Sequence, residues 1–286
     1  MGQRSPAGPV TGGLVVVSDL AAAALAYTRW LHLEHRGTAS IDAAFAAALG
    51  RPELAGAATA QLGPVGGDGH WLELVEDPEA VAIEAFHPPG WMALEVCVQG
   101  VDGFGASLRE SPFAIAGEPA NLAVGDAIRA MQVIGPGGEI LYLTEIFDDL
   151  PPFELPRARF PVDQLFIPVL AASELDATLA FLEDVLEVAA LRFDTRLGSL
   201  SRALGRDPES LYPVATMQLS GACLFEIDQL PGAPAPRPLR SQGIAAITLQ
   251  TADAERLAAR SGAMSTRQGV VLIGPDGERI VLTPAA

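Results

Sequence analysis

The sequence predicts an α+β fold made of one strand–helix–strand module used four times in tandem. Three observations predict it. Ser18-Asp19-Leu20 and Ser173-Glu174-Leu175 each follow an apolar run and open an amphipathic stretch, to Leu31 and to Leu186. Ile134–Thr144 and Ile273–Thr283 match at seven of eleven positions around a Gly-Pro-x-Gly turn. Gly90 to Leu108 parallels Gln242 to Arg260, a strand and then a helix with Asp102 or Asp253 near its start.

Taken in order, the first module spans about 12–80. Leu14 to Val17 is its opening strand, and Ser18 is the expected N-cap, with an acid beside the positive helix end. The second module, about 88–147, opens on the alternating strand Trp91 to Val98 and closes on the hairpin through Gly135-Pro-Gly-Gly138. The third, about 162–229, opens on Leu165 to Leu170. The fourth, about 241–284, closes on Gly274-Pro-Asp-Gly277 and is short. Four prolines between Asp148 and Val162 mark a linker, and four more in Pro231–Pro238 mark a connector inside the second half. The expected domains are therefore 1–147 and 162–286, joined by 148–161 and separately packed.

Composition bounds the function. Residues are 49% hydrophobic and 19% charged, ample for a packed core. The net charge of −17 repels phosphate backbones and argues against nucleic-acid partners. All 18 basic residues are arginine, so Schiff-base, pyridoxal phosphate and phosphate-loop lysine chemistry is excluded. Cys97 and Cys223 sit in apolar runs and are expected to be buried free thiols, which suits a reducing cytoplasm. No apolar run is long enough for a membrane span, no secretory signal pattern precedes Gly12–Val17, and Pro6 spoils a myristoylation match.

A βαβββ unit used four times, closing through Gly-Pro-Asp-Gly, resembles the vicinal oxygen chelate superfamily of glyoxalases, bleomycin-resistance proteins and extradiol dioxygenases. Val17-Ser-Asp-Leu20, Ala26-Tyr27 and Leu31 match its module opening, as do Ser173-Glu-Leu175, Phe181 and Leu186. The resemblance covers nearly the whole chain. It implies that modules pair into two half-open sheet cups, with inward ligands from first strands (His or Gln) and last strands (Glu). The first-strand positions fall near Gly12 or Gly13, near Trp91, between Gln164 and Ile167, and near Gln242 or Gly243, none of them histidine. The last-strand positions hold Glu76, Glu145, Glu226 or Asp228, and Pro284. All four histidines (His32, His35, His70, His87) lie in the first half, which argues against a dioxygenase centre in the second. No metal and no other cofactor is expected.

The candidate site is then the first-half cup. Alternation in Trp91–Val98 places Trp91, Ala93, Glu95 and Cys97 toward the cup. Glu95 and Glu145 would share one apolar cavity, and desolvation would raise at least one pKa, giving a general acid or base; alternatively Glu95 pairs with Arg129 and only stabilises the fold. His87 is a candidate at the cup rim, His70 and Glu76 on the first module's last strand, and Trp91, Tyr142 and Arg129 as substrate-positioning groups. The expected function is a lyase or isomerase acting on a small, partly apolar molecule, or else a non-catalytic small-molecule binder of the antibiotic-sequestering kind; a scaffold with filled cups is the third reading. A membrane partner is not expected, and a homodimer is left open. On this reading Glu145→Gln abolishes function and Glu226→Gln spares it.

Overall fold

The computed structural model describes residues 5–122, 125–232, 234–259 and 263–285, the side chains of 255 and 258 aside. Met1-Gly2 and the Arg260 end of the last sequence repeat lie outside the described residues. The first module comprises β1 (Ala7–Val17), α1 (Leu20–Trp30), β2 (Leu33–Ser40), α2 (Ala43–Ala48), β3 (Ala58–Pro64) and β4 (Leu72–Glu76). The second comprises β5 (Gly90–Val98), α3 (Val101–Ser107), β6 (Ala114–Asn121), β7 (Ile128–Ile134) and β8 (Ile140–Ile146). In the third follow β9 (Val162–Ala172), α4 (Leu175–Leu186), β10 (Leu191–Arg196), α5 (Gly198–Ala203), β11 (Leu211–Leu219) and β12 (Cys223–Gln229). In the fourth follow β13 (Gly243–Thr251), α6 (Ala254–Ala258), β14 (Met264–Thr266), β15 (Gly269–Ile273) and β16 (Arg279–Pro284). The βαβββ order holds in all four modules.

The modules do not pair as neighbours in sequence. One eight-stranded sheet runs β14-β15-β16-β13-β1-β4-β3-β2, joining the first module to the fourth. The other runs β10-β11-β12-β9-β5-β8-β7-β6, joining the second to the third. The joints are antiparallel, β1 with β13 and β5 with β9. This corrects the expectation of separately packed halves 1–147 and 162–286, because each sheet takes one module from each half. Residues 234–238 of the connector lie between the sheets, with Arg237 donating to Trp91 O of one and Ile244 O of the other, and 148–161 stays beside the second sheet. That linker is tied down: Gln99 Nε2 donates to Ala158 O at 2.7 Å, and Glu154 N to Gln218 Oε1 at 3.1 Å.

In the first three modules the start of the main helix is fixed by the end of that module's last strand. Leu20 N donates to Glu76 Oε1, Gly100 and Val101 N to Glu145, and Leu175 N to Gln229 Oε1. Backbone N–H groups at a helix start lack intrahelical acceptors, so a side-chain oxygen there satisfies them. Asp19, one residue beyond the expected Ser18, is the N-cap of α1, accepting from Ala22 N at 2.9 Å. Ser173 donates instead to Asp276.

The Gly-Pro-x-Gly hairpins turn a glutamate inward. Gly138 and Gly277, with φ of +78° and +74°, take the left-handed conformation that glycine adopts without strain. The next residues, Glu139 and Glu278, are buried. Burial pushes the Glu139 carboxyl up to about 7, against the hydrogen bond it accepts from Tyr27 Oη. Tyr27→Phe is expected to cost about 1–3 kcal/mol, read by chemical denaturation, because it leaves a buried acceptor without its donor; an unchanged midpoint would show that Glu139 needs no partner.

Both cysteines are buried and free. Among the described residues, no helix is long and apolar enough to cross a membrane.

Candidate functional site

The two sheets differ in what fills their concave faces. In the first sheet, Leu14 and Val16 of β1, Val75, Ala246, Val271 and Val281 pack against Phe45, Ala46, Leu49 and Leu54. The Ala-rich helix α2 is thus pressed into this cup as an apolar plug. The equivalent helix in the third module is α5, whose sequence Gly-Ser-Leu-Ser-Arg-Ala is polar. It spans the second cup without filling it: Ser199 Oγ donates to Gln132 Oε1 at 2.8 Å, and Arg202 reaches Ala116 O at 3.1 Å. Beneath it lies a cavity of about 740 Å³, walled by Ile115, Tyr142, Phe193 and Leu197, with Glu95 and Glu226 in its lining.

The floor of this cup is acidic. Glu95 (β5) stands beside Tyr142 (β8) in register, and β9 separates it from Glu226 (β12). Asp228 shares the Glu226 face two residues on and is fully buried, with the Glu226 carboxyl as its neighbour. Burial, then the nearby Glu226 charge, pushes Glu95 up to about 8, partly offset by Thr144, whose hydroxyl donates to Glu95 Oε1 at 2.6 Å. Burial carries Glu226 up to about 7. Asp228 is raised well above the carboxylate range by burial and by Glu226, and Tyr142 is raised by burial and by the same acids. Carboxyls that share an apolar site cannot all ionise, so part of this cluster holds protons at neutral pH.

Of the sequence-predicted residues, the structure brings Glu95 and Tyr142 together in this cup. Glu145 is not there: it lies on the opposite face of β8 and holds the start of α3, so it shares no cavity with Glu95. Glu76 does the same for α1. Arg129 is bidentate to Asp102 on the helix side, with Nη2 to Oδ1 at 2.8 Å, so it neither pairs with Glu95 nor lines the cup. His87 turns its ring to Ala85 O, 2.9 Å away, and to Glu84, and lines a separate cleft. His70 is exposed in the hairpin between β3 and β4. Trp91 is buried edge-on against Phe225 and donates from Nε1 to Arg279 O at 2.8 Å. Glu226, expected to be idle, is in the cup, which draws on both halves of the chain. Asp228, the alternative to Glu226 at the third module's last-strand position, is buried beside it, and Gln132 and Ser199 had no assigned place in the cup. A further internal repeat, Ala48-Leu-Gly-Arg51 against Ala203-Leu-Gly-Arg206, aligns α2 with α5 and signals the covering helix.

A family-type metal does not fit the second cup. Registering each first strand on its module's last strand (Val17 with Glu76, Ala172 with Gln229, Thr251 with Pro284) puts Ala93 and Ile167 at equivalent first-strand positions in the second sheet, and Gly12 and Ala246 at the same positions in the first. These side chains have no donor atom. Among the described residues, no three His, Cys, Asp or Glu converge as a metal cluster.

No protein-family model matches the sequence, and no curated protein matches it. Solved structures do. Glyoxalase I from Zea mays superposes with a TM-score of 0.66 at 14% identity, over 96% of this chain and 91% of that one. A Bacillus subtilis protein provisionally titled a dioxygenase superposes with a TM-score of 0.66 at 12% identity, over 99% of this chain and 86% of that one. With four βαβββ modules and these superpositions along nearly its whole length, the chain has the vicinal oxygen chelate fold.

Proposed function

We propose that the second-sheet cup holds a small, partly apolar molecule and moves a proton on it, as an isomerase or lyase working through carboxyl groups. One observation carries this reading: Glu95 and Glu226 face a single open cavity, and their burial brings both to titrate near neutrality. A pair with separated pKa values divides into base and acid. Ionised Glu226 takes a proton from a carbon beside a carbonyl. Protonated Glu95 gives its proton to the carbonyl oxygen, leaving an enol in the cup. With an α-hydroxy carbonyl the intermediate is an enediol: Glu226 delivers its proton to the former carbonyl carbon while Glu95 takes the hydroxyl proton from the neighbouring carbon, which becomes the new carbonyl and completes an isomerisation. With a β-substituent, Glu95 takes back the enol proton as the carbonyl re-forms and the substituent leaves with the proton held on Glu226, which completes an elimination. Both routes return the two acids to their starting states. The aromatic and aliphatic wall holds the apolar part of the substrate.

The test is solvent exchange. Small carbonyl compounds are incubated with the protein in D2O and followed by mass spectrometry. Deuterium incorporation is expected, falling by about 10²–10⁴ in Glu226→Gln, the usual weight of one acid–base group. The rate should be bell-shaped, rising through about 7 as Glu226 ionises and falling through about 8 as Glu95 loses its proton. Exchange untouched by both Glu226→Gln and Glu95→Gln would refute the proposal. The sequestering reading is favoured by the same uncompensated acids, which suit a cationic ligand; tight binding of an amine without exchange would establish it instead.

A further inference from the structure

We propose a second ligand site, for a small phosphate-bearing molecule, where Arg51, Arg237 and Arg279 converge at the mouth of the plugged first cup. A cavity of about 350 Å³ lies there, lined by these three residues, by Trp91 and by Pro275, Asp276, Gly277 and Glu278 of the turn, with Pro236, Pro238 and Leu239 as an apolar wall. The three arginines come from the end of the plug, the connector between the sheets and the start of β16, so the fold and not local sequence assembles them.

Their partners leave the positive charge under-compensated. Arg237 is held by carbonyls alone, Nη2 donating to Trp91 O at 2.7 Å and Nη1 to Ile244 O at 3.3 Å. Arg279 likewise donates to Leu49 O at 2.8 Å and to Gly277 O. Arg51 touches Glu53 and lies 3.7 Å from Asp77, but Asp77 is already held by Arg240 at 2.6 Å. Arg237 Nε is buried with no hydrogen-bond partner, and Arg51 Nη2 is buried with none beyond its 3.7 Å approach to Asp77 Oδ2. Buried guanidinium N–H groups without acceptors are costly, and a chain carrying −17 overall has acids to spare for neutralising them. Burial and mutual repulsion lower the Arg237 pKa to about 10 and lower that of Arg279.

The other acids nearby do not fill the gap. Asp276 accepts from Ser173 and Thr178. Glu278 accepts from Asp276 N at 2.9 Å, and burial raises it to about 7, which weakens it as a counter-charge. The backbone also makes room. Gly243, at φ +93°, has no Cβ where one would stand 3.2 Å from Arg237 Nη1 and 3.0 Å from Ile83. The donors left without a protein acceptor, Arg51 Nη2 and Arg237 Nε, belong to guanidinium groups lining one small cavity, and the oxygens of a phosphate supply the acceptors and the charge they lack.

Isothermal titration calorimetry of the full chain with inorganic phosphate tests this, at constant ionic strength in chloride, with malonate as a parallel titrant. Saturable one-to-one phosphate binding is expected, at least about tenfold weaker in Arg237→Met and in Arg279→Gln, since each removes a charge-assisted fork. Arg109→Met, whose native partner is the exposed Glu118, should bind as the parent does. Circular dichroism melts establish that each variant is folded. Absence of phosphate binding by the parent overturns the proposal, as does binding that survives both substitutions in folded protein. Malonate binding tighter than phosphate overturns the phosphate assignment in favour of a carboxylate ligand.

Discussion

Raising the pH from 5.5 to 8.5 is expected to lower the thermal midpoint by roughly 5–10 °C, a few kcal/mol for a chain of this size. Four buried carboxyls set the direction. Burial raises Glu95 to about 8 and Glu139, Glu226 and Glu278 to about 7. In the unfolded chain such groups ionise near about 4.3. Between that value and the folded pKa, the folded state holds protons that unfolding releases, so stability falls as pH rises. The contribution is fully present below the unfolded pKa and lost once pH passes about 8. Each tenfold gain in proton affinity on folding is worth about 1.4 kcal/mol, so Glu95 alone sets an outer bound of roughly 5 kcal/mol. Asp77 works the other way. Its hydrogen bond from Arg240 holds the carboxyl below its ordinary value, so its share is lost only in acid, outside this window. Glu95→Gln keeps an acceptor for the Thr144 hydroxyl and removes the titration. It should raise the midpoint at pH 8.5 and flatten the slope between the two pH values. A midpoint at pH 8.5 equal to or above that at pH 5.5 would mean that these carboxyls ionise at ordinary values, and the proton-transfer reading would fall with them.

The modules were legible because each is written in local signals: apolar runs, an acid at a helix start, glycines in a tight turn. Their pairing was not. The four first strands are all predominantly apolar, and β5 and β9 are buried almost throughout, so nothing local tells β1 to choose β13 or β5 to choose β9. The site was half legible for a related reason. Alternation found Glu95, and the register of β8 put Tyr142 with it. Glu145 was misplaced because it stands three residues from Tyr142, and an odd offset on a strand reverses the face. The reversed face is where it caps α3, as Glu76 caps α1. Glu226 was recognised as a last-strand acid but assigned to an idle half, an error that follows directly from the unseen pairing. The fate of the cups depended on α2 and α5, short helices whose difference in polarity mattered more than any strand residue.

Residues 1–147 expressed alone are expected to give no cooperatively folded product, and a chain nicked between Pro151 and Pro161 is expected to stay in one piece. Cutting the chain into halves removes β13 from β1 and β9 from β5, the two joints that close the eight-stranded sheets. Each joint lies in the middle of its sheet, so truncation creates two long apolar edges with unpaired backbone groups. It also removes Val271, Val281 and Ala246 from the plugged core, leaving the α2 face of Phe45 and Leu49 half-covered. Burial of about 25 cal/mol per Å² of apolar area cannot be recovered by a half that has lost both partners. In the nicked chain, by contrast, the strands among the described residues all keep their neighbours, and the linker is held by Gln99 and Gln218. The nicked protein should elute at the position of the intact chain and separate only in denaturant. The fragment 1–147 should show a broad, non-cooperative melt or self-association through its open edges. A sharp thermal transition for a monomeric 1–147 fragment would show that the halves pack independently, and the sheet order on which the mixed-origin cup depends would be wrong.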